Sequence, residues 1–297
     1  MKRVFLPLIL ALFLLSVINL NAAENVKLEL SAEKSSFLPG EPVVVLVKAT
    51  NTSDSALVIP GGLEPKMEAI IYEITDPQGK TTPFSPLMVV DTDKRIVLNK
   101  NESAYGTARL FYGGQGYSFP QPGVYKVVAR YKSFQSNSLS LTVSKPKNEE
   151  ESEQARLILD NNEVGLFLML EGGDELLQAQ KAMQTLVQKY PQSLLTAYVR
   201  YAQAKNLSVP ARNFVSKKPR EADLPAAIDI LQSVKDANMQ MYYRLKTVTT
   251  LSECLQASDR KEDARKVLQD AQQLLQKQER LMPYFNSELQ AQMQMLQ

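Results

Sequence analysis

The stretch SFLPGEPVVVLVKATN, Ser36 to Asn51, decides how the first half of the chain is read. Pro39 fixes φ and Gly40 tolerates the positive φ of tight turns, so the pair predicts a turn. Pro42 lacks the N–H that a ladder interior needs and can only open a strand. Val43 to Asn51 then follows as that strand. Its inner part is apolar on both faces, which predicts burial between sheets. On this reading Ser36–Val45 is a structural corner, not a working site.

The same period extends outward. Val26, Leu28 and Leu30 alternate with Lys27, Glu29 and Ser31 as a half-buried strand. Strand-like runs separated by turn residues follow as ALVIP, MEAIIYEIT, PLMVV, RIVL, AYGTARLFY, VYKVVARY and SLSLTVS. About eight strands over some 120 residues predict an all-β sandwich across 24–146. FLPGEPVVVLVKATNTSDSALVI and PQPGVYKVVARY resemble the immunoglobulin-like and macroglobulin-like modules of bacterial envelope proteins. The resemblance covers roughly 115 residues and implies a Pro-Gly-x-Tyr corner at Gly123 and Tyr125, with the Tyr125 hydroxyl tied to backbone.

After SKPKNEEESEQ the pattern changes to Leu, Gln, Ala and Lys at helical spacing, and the acidic run Glu149–Glu153 suits a helix N-terminus. AMQTLVQ, AIDILQS and ARKVLQD repeat an Ala with Leu four residues later, at intervals of 45 and 37 residues. LVQKYPQSLLTAYVRYAQAK and LSECLQASDRKEDARKVLQDA look like the turns and helix pairs of tetratricopeptide repeats, although Ser258-Asp259 stands where that family usually has Gly. Three helix pairs are predicted across 147–297: 151–171 with 174–190, 193–206 with 223–236, and 239–257 with 261–280. A capping helix follows Pro283. The predicted fold class is thus all-β plus all-α, an Ig-like sandwich followed by tetratricopeptide-like helical repeats. That order resembles a group of exported bacterial proteins with no established activity.

Bulk composition narrows the function. The 297 residues are 44% apolar and 22% charged, a globular balance. Without Lys2 and Arg3 the 34 basic residues fall to 32, matching the 32 acidic ones, so no global pull toward nucleic acid is expected. The chain has no His and one Cys, Cys254, which excludes His triads, an internal disulfide and Cys-rich zinc sites. Cys254 reads as a small buried thiol. MKRVFLPLILALFLLSVINLNAAE has the layout of a secretory signal over 1–23, with cleavage after Ala22 or Ala23. No Cys follows the apolar run, so a lipoprotein anchor is not expected. The alternative is an uncleaved N-terminal membrane anchor. The expected location is periplasmic or secreted, with no stable membrane insertion once the signal is removed.

Candidate sites come from loops and helix faces. FYGGQGYSFPQPG, 111–123, sets Tyr117 and Phe119 among glycines, where they would be offered to a sugar or peptide; the competing reading folds them onto the sandwich. AYVRYAQAK and MQMYYRLKT place Tyr198, Tyr242 and Arg244 on the inner helices of the array, and Tyr and Arg are common interface anchors. The basic loop 206–225, with Arg212, Lys217, Lys218 and Arg220, reads as solvated. Asp91 and Asp93 in DTDK lack the further oxygen ligands of a calcium loop, so no metal is expected. No nucleophile–base arrangement stands out, so no catalytic residue and no cofactor are expected. The expected function is a non-enzymatic adaptor of the bacterial envelope that binds a peptide or protein on the helical surface. The alternative is a protease-inhibitor-type or glycan-binding module acting through sandwich loops.

Overall fold

The structure is a computed structural model that describes residues 25–60, 62–65, 70–89, 95–212 and 217–296. The expected signal segment 1–23 and the DTDK residues Asp91 and Asp93 lie outside the described residues. The strands of the first half are β1 (Val26–Ser31), β2 (Ser36–Phe37), β3 (Val44–Asn51), β4 (Leu57–Pro60), β5 (Ile71–Thr75) and β6 (Thr81–Pro83). They continue as β7 (Arg95–Leu98), β8 (Ser103–Arg109), β9 (Tyr112–Gly113), β10 (Gly116–Tyr117), β11 (Gly123–Tyr131), β12 (Phe134–Gln135) and β13 (Leu139–Val143). A small ribbon, β14 (Ala211–Arg212) with β15 (Pro219–Arg220), interrupts the helices.

β3 carries the answer to how these strands are arranged. It pairs antiparallel with β1 and β8 in a three-stranded sheet of order β1-β3-β8. Val45, Val47 and Ala49 point to one side and share a core with Tyr72, Tyr125, Val127 and Leu141 of the second sheet. Val44 and Leu46 point to the other side and share a core with the helices. The strand is apolar on both faces because it has a sheet on one and helices on the other. The second sheet has the order β2-β13-β11-β5-β6, with β12 on β11, and is mixed because β2 and β13 run parallel. β4 with β7 and β9 with β10 are separate two-stranded ribbons.

The helices are α1 (Glu149–Leu159), α2 (Asn162–Leu170), α3 (Leu177–Lys189), α4 (Leu194–Leu207), α5 (Leu224–Val234), α6 (Met241–Ala257), α7 (Lys261–Gln276) and α8 (Met282–Gln294). Asn148, Asn161, Ser193 and Asp223 each cap a helix by accepting a backbone N–H with the side-chain oxygen. The helix predicted over 151–171 is therefore two helices, because Asn161 starts a new one. Phe167 and Leu168 of α2, Met183 and Leu186 of α3 and Val199 of α4 belong to the same core as the strands.

These packings correct the expected fold class. Instead of an Ig-like sandwich followed by a tetratricopeptide-like array, the described residues form small and mixed sheets, with no closed sandwich among them. Helices and strands share both cores, so an all-β plus all-α division does not describe the chain. The sequence reading failed because two-sided burial of a strand cannot say whether the second cover is a sheet or a helix layer. PLMVV was also expected to be a strand. Its described part, Pro86–Val89, is irregular, and Met88 is 60% exposed.

The layers are locked at the start of α6. Gln240 acts as a backbone surrogate: Nε2 donates to Pro42 O at 2.5 Å, and Oε1 accepts from Val44 N at 3.2 Å. The Tyr198 hydroxyl donates to Glu41 Oε1 at 3.0 Å and accepts from Gln240 N at 3.1 Å. Glu41 also accepts from Leu38 N and pairs with Lys34 at 2.6 Å. Glu33 Oε2 accepts from Met241 N at 2.5 Å, placing a carboxylate at the N-terminus of α6, where the helix dipole favours it. Each of these buried polar atoms has a partner, which offsets part of the cost of burying it. Among the described residues no helix is long and apolar enough to cross a membrane.

Candidate functional site

The same sheet–helix boundary opens, a few ångströms along, into a cleft of about 490 Å³. The size lies within the usual range for small-ligand pockets. Its walls come from several elements. β8 contributes Thr107 and Arg109, the segment after β6 contributes Phe84, Pro86, Leu87 and Met88, the end of α2 contributes Met169, Leu170 and Glu171, α4 contributes Tyr201 and Lys205, and α6 and α8 close it. On α6 the lining residues are Tyr242, Lys246, Thr249, Thr250 and Glu253. Their spacing of three and four residues puts them on one stripe of the helix.

Arg109 is the centre of the floor. It follows from the register of β8, where Arg109 stands opposite Val44 and so points toward the helices. Its Nη1 donates to Glu171 Oε1 at 2.9 Å, and its Cζ lies 5.8 Å from the Tyr242 ring centroid. Lys246 Nζ lies 5.7 Å from the same ring and pairs with Glu288 at 2.6 Å. Burial alone would depress the Lys246 ammonium, but Tyr242 and Glu288 hold it above its ordinary value. Glu171 caps α2 in a left-handed conformation, φ 58, at the position where glycine is commonest. A non-glycine residue there costs on the order of 1 kcal/mol, offset here by the pair with Arg109.

Two hydroxyls beside this pair have no partner. Tyr201 lines the cleft, is almost fully buried, and its Oη meets no hydrogen-bonding atom. The Tyr243 hydroxyl is also buried; it lies against the Arg109 guanidinium without meeting it in good hydrogen-bond geometry. Burial, with Glu171 nearby, pushes the Tyr201 phenol well up, and burial pushes Tyr243 up. Leaving a buried hydroxyl without a bond costs about 1–3 kcal/mol, and such groups in a folded protein call for an explanation. One edge of the cleft is apolar and open, with Met88 60% and Leu170 54% exposed, while Glu253, Glu288 and Gln292 line the cleft from the helices.

The sequence-predicted residues fall in different places. Tyr242 lies in the cleft. Arg244, two residues on, points about 200° away around α6, into a groove of about 290 Å³ lined also by Lys235, Val248, Val267 and Asp270. The two therefore do not form one patch. Tyr198 is 1% exposed and belongs to the lock at Glu41 and Gln240, so it offers nothing to a partner. Tyr117 and Phe119 are also packed inward. The Tyr117 hydroxyl donates to Ile158 O at 2.7 Å, and Phe119 packs edge-on to Tyr125 at 5.0 Å. Gly165 of α2 permits this, because a Cβ there would lie 2.2 Å from the Tyr112 ring. The aromatic loop clamps strands to helices, and part-buried Tyr117 also lines a second cleft of about 190 Å³ with Phe84, Gln115 and Gln121. Cys254 is buried in the helical core.

Arg109, Glu171, Tyr201 and Lys246 were missed by the sequence reading. The available signal was the polar stripe Tyr242, Lys246, Thr249, Thr250 and Glu253 along α6. Arg109 gave none, since a single charge at a strand end is common.

No family model and no curated protein matches the chain. Among solved structures, it is similar to a β-glucosidase from Listeria innocua in complex with isofagomine, at 18% identity and TM-score 0.28 over 41% of this chain and 16% of that one. A β-glucosidase from Erythrobacter marinus gives 14% identity and TM-score 0.28 over 40% and 15%. The Pseudomonas fluorescens alkylpurine DNA glycosylase AlkC, bound to DNA containing an abasic-site analogue, gives 12% and 0.29 over 41% and 31%. The chain thus spans less than a third of each of these proteins. Likeness at this level says nothing about fold or activity.

Proposed function

We propose that the protein is a non-enzymatic binding protein of the bacterial envelope that holds a short stretch of polypeptide in the cleft between β8, α2 and α6. The observation that carries this reading is the pairing inside the cleft of a polar floor that holds buried unpaired hydroxyls with one exposed apolar edge at Leu170 and Met88. A peptide supplies both acceptors for the floor and apolar side chains for that edge. Export to the periplasm or medium is supported by the basic start, apolar run and Ala22-Ala23 of the N-terminal segment. The neutral charge balance supports a protein partner over nucleic acid.

The test is selection of displayed random peptides on the wild-type protein and on Leu170→Asp. Leu170 is 54% exposed, so the variant should fold while placing a charge on the rim. Enrichment of related peptides by the wild type, lost in Leu170→Asp, is the expected result. Enrichment that survives the substitution would place binding elsewhere and end this reading.

A further inference from the structure

The internal pair on the cleft floor has the chemistry of a ligand contact already filled from within. Arg109 presents five N–H donors in a fixed fork suited to a carboxylate, and the structure gives it one carboxylate oxygen, Glu171 Oε1 at 2.9 Å. Glu171 reaches it from a left-handed residue followed by Gly172 and Gly173, the latter at φ 134, at the end of α2. Beside the pair the hydroxyl of Tyr201, a residue 1% exposed, has no partner and lines the cleft. The Arg109–Glu171 pair leaves that hydroxyl unused, although a second acceptor next to the guanidinium would satisfy it. Leu170 and Met88 stand exposed above it.

We infer that the floor receives a carboxylate attached to an aliphatic group, as at the end of a peptide whose last residue is aliphatic. The incoming carboxylate takes Arg109 from Glu171 and accepts from the Tyr201 hydroxyl, while the aliphatic group lies against Leu170 and Met88. Glu171 is then released to solvent with its glycine-rich loop. This assignment rests on the reading of the cleft as a ligand site and deepens it by naming what the floor recognises. The other carboxylates lining the cleft are Glu64, Glu253 and Glu288, of which Glu253 and Glu288 pair with Lys205 at 3.6 Å and Lys246 at 2.6 Å.

Calorimetric titration tests it with three probes: an N-acetylated tetrapeptide ending in leucine with a free carboxylate, the same peptide as carboxamide, and hexanoate. The free acid should bind at least about tenfold tighter than the carboxamide, the scale of one charged hydrogen-bonded contact. Glu171→Gln, which weakens the internal competitor, should tighten the free acid by several-fold. Arg109→Lys should weaken it about tenfold because it loses the fork. Because Arg109→Met alone strands Glu171, the double variant Arg109→Met with Glu171→Met removes the pair together and keeps the fold, as thermal melting would verify; it should lose the preference for the acid. Equal binding of acid and carboxamide overturns the inference and leaves a peptide cleft standing. Unchanged acid binding in the double variant, or no binding of either acid to wild type and Glu171→Gln, also overturns it. Hexanoate binding as tightly as the peptide supports the carboxylate site with a free aliphatic acid as its source, and ends the peptide reading instead.

Discussion

Two polar clusters sit a few residues apart on the same helices, and they differ in one respect. At the lock, Tyr198 of α4 and Gln240 before α6 are bound to Glu41, Pro42 and Val44, and each buried atom is paired. In the cleft, Tyr201 of the same α4 and Tyr243 of the same α6 are as deeply buried, but their hydroxyls are not paired. The clusters touch: the Tyr243 ring lies 4.9 Å from Tyr198 and 5.7 Å from Tyr201. Burial and residue type are therefore the same on both sides, and completeness of hydrogen bonding separates them. A completed network holds the layers together, whereas an incomplete one beside an open cavity leaves capacity for something else.

The strongest test of that contrast is Gln240→Ala. It leaves Val44 N–H and Pro42 C=O buried without partners, and the expected loss is about 3 kcal/mol in urea unfolding. A loss below about 1 kcal/mol would mean that the lock is ornamental and the contrast void. A matched pair comes next. Tyr198→Phe removes the donor to Glu41 and should cost roughly 2 kcal/mol. Tyr201→Phe removes a hydroxyl that makes no bond and should be neutral, or stabilising by up to about 1 kcal/mol, when no ligand is present. Equal losses for the two would show that Tyr201 is a structural group like its neighbour.

Why the sequence revealed local corners but neither cluster follows from range. The turn at Gly40, with φ 80, and the Tyr125 hydroxyl bonded to Gln121 N and O at 3.1 and 2.9 Å are contacts within five residues; the first follows from local residue types, and the second was implied by the resemblance. Helix starts at Asn148 and Ser193 are local too. Glu41 looked like part of a turn because its partner Tyr198 is 157 residues away. Likewise Arg109 and Glu171 are 62 residues apart. Period told that β3 is covered twice, but not by what, and that single ambiguity produced the wrong fold class. Tyr242 was chosen for its residue type and lies in the cleft. Arg244 was chosen with it, although a helix turns nearly halfway round in two residues.

The smallest effects concern two carboxylates with opposite signs. Burial would raise Asp174, but hydrogen bonds from Arg220 and Asn206 overcome it and hold the carboxyl below its ordinary value. A depressed folded pKa means stability that is present above the unfolded value, about 3.9, and is lost as pH falls through the folded one. Asp174→Asn should thus cost under about 1 kcal/mol at pH 7, since the pair is partly exposed, with the gap to wild type closing below pH ~4. Glu33, inside the lock, runs the other way. Burial raises it, against the opposing pull of Met241 N–H and Arg244. Its contribution is full below the unfolded pKa and is lost as pH rises through the folded value. Glu33→Gln keeps an acceptor for Met241 N–H without the buried charge, so it should be neutral or slightly stabilising at pH 7 and lose that advantage in acid. Unfolding midpoints of the three proteins between pH ~3 and ~8 decide it. If both substitutions shift stability in the same direction across that range, Glu33 is charged and supported in the lock as Asp174 is, and helix-dipole attraction outweighs the cost of burying it.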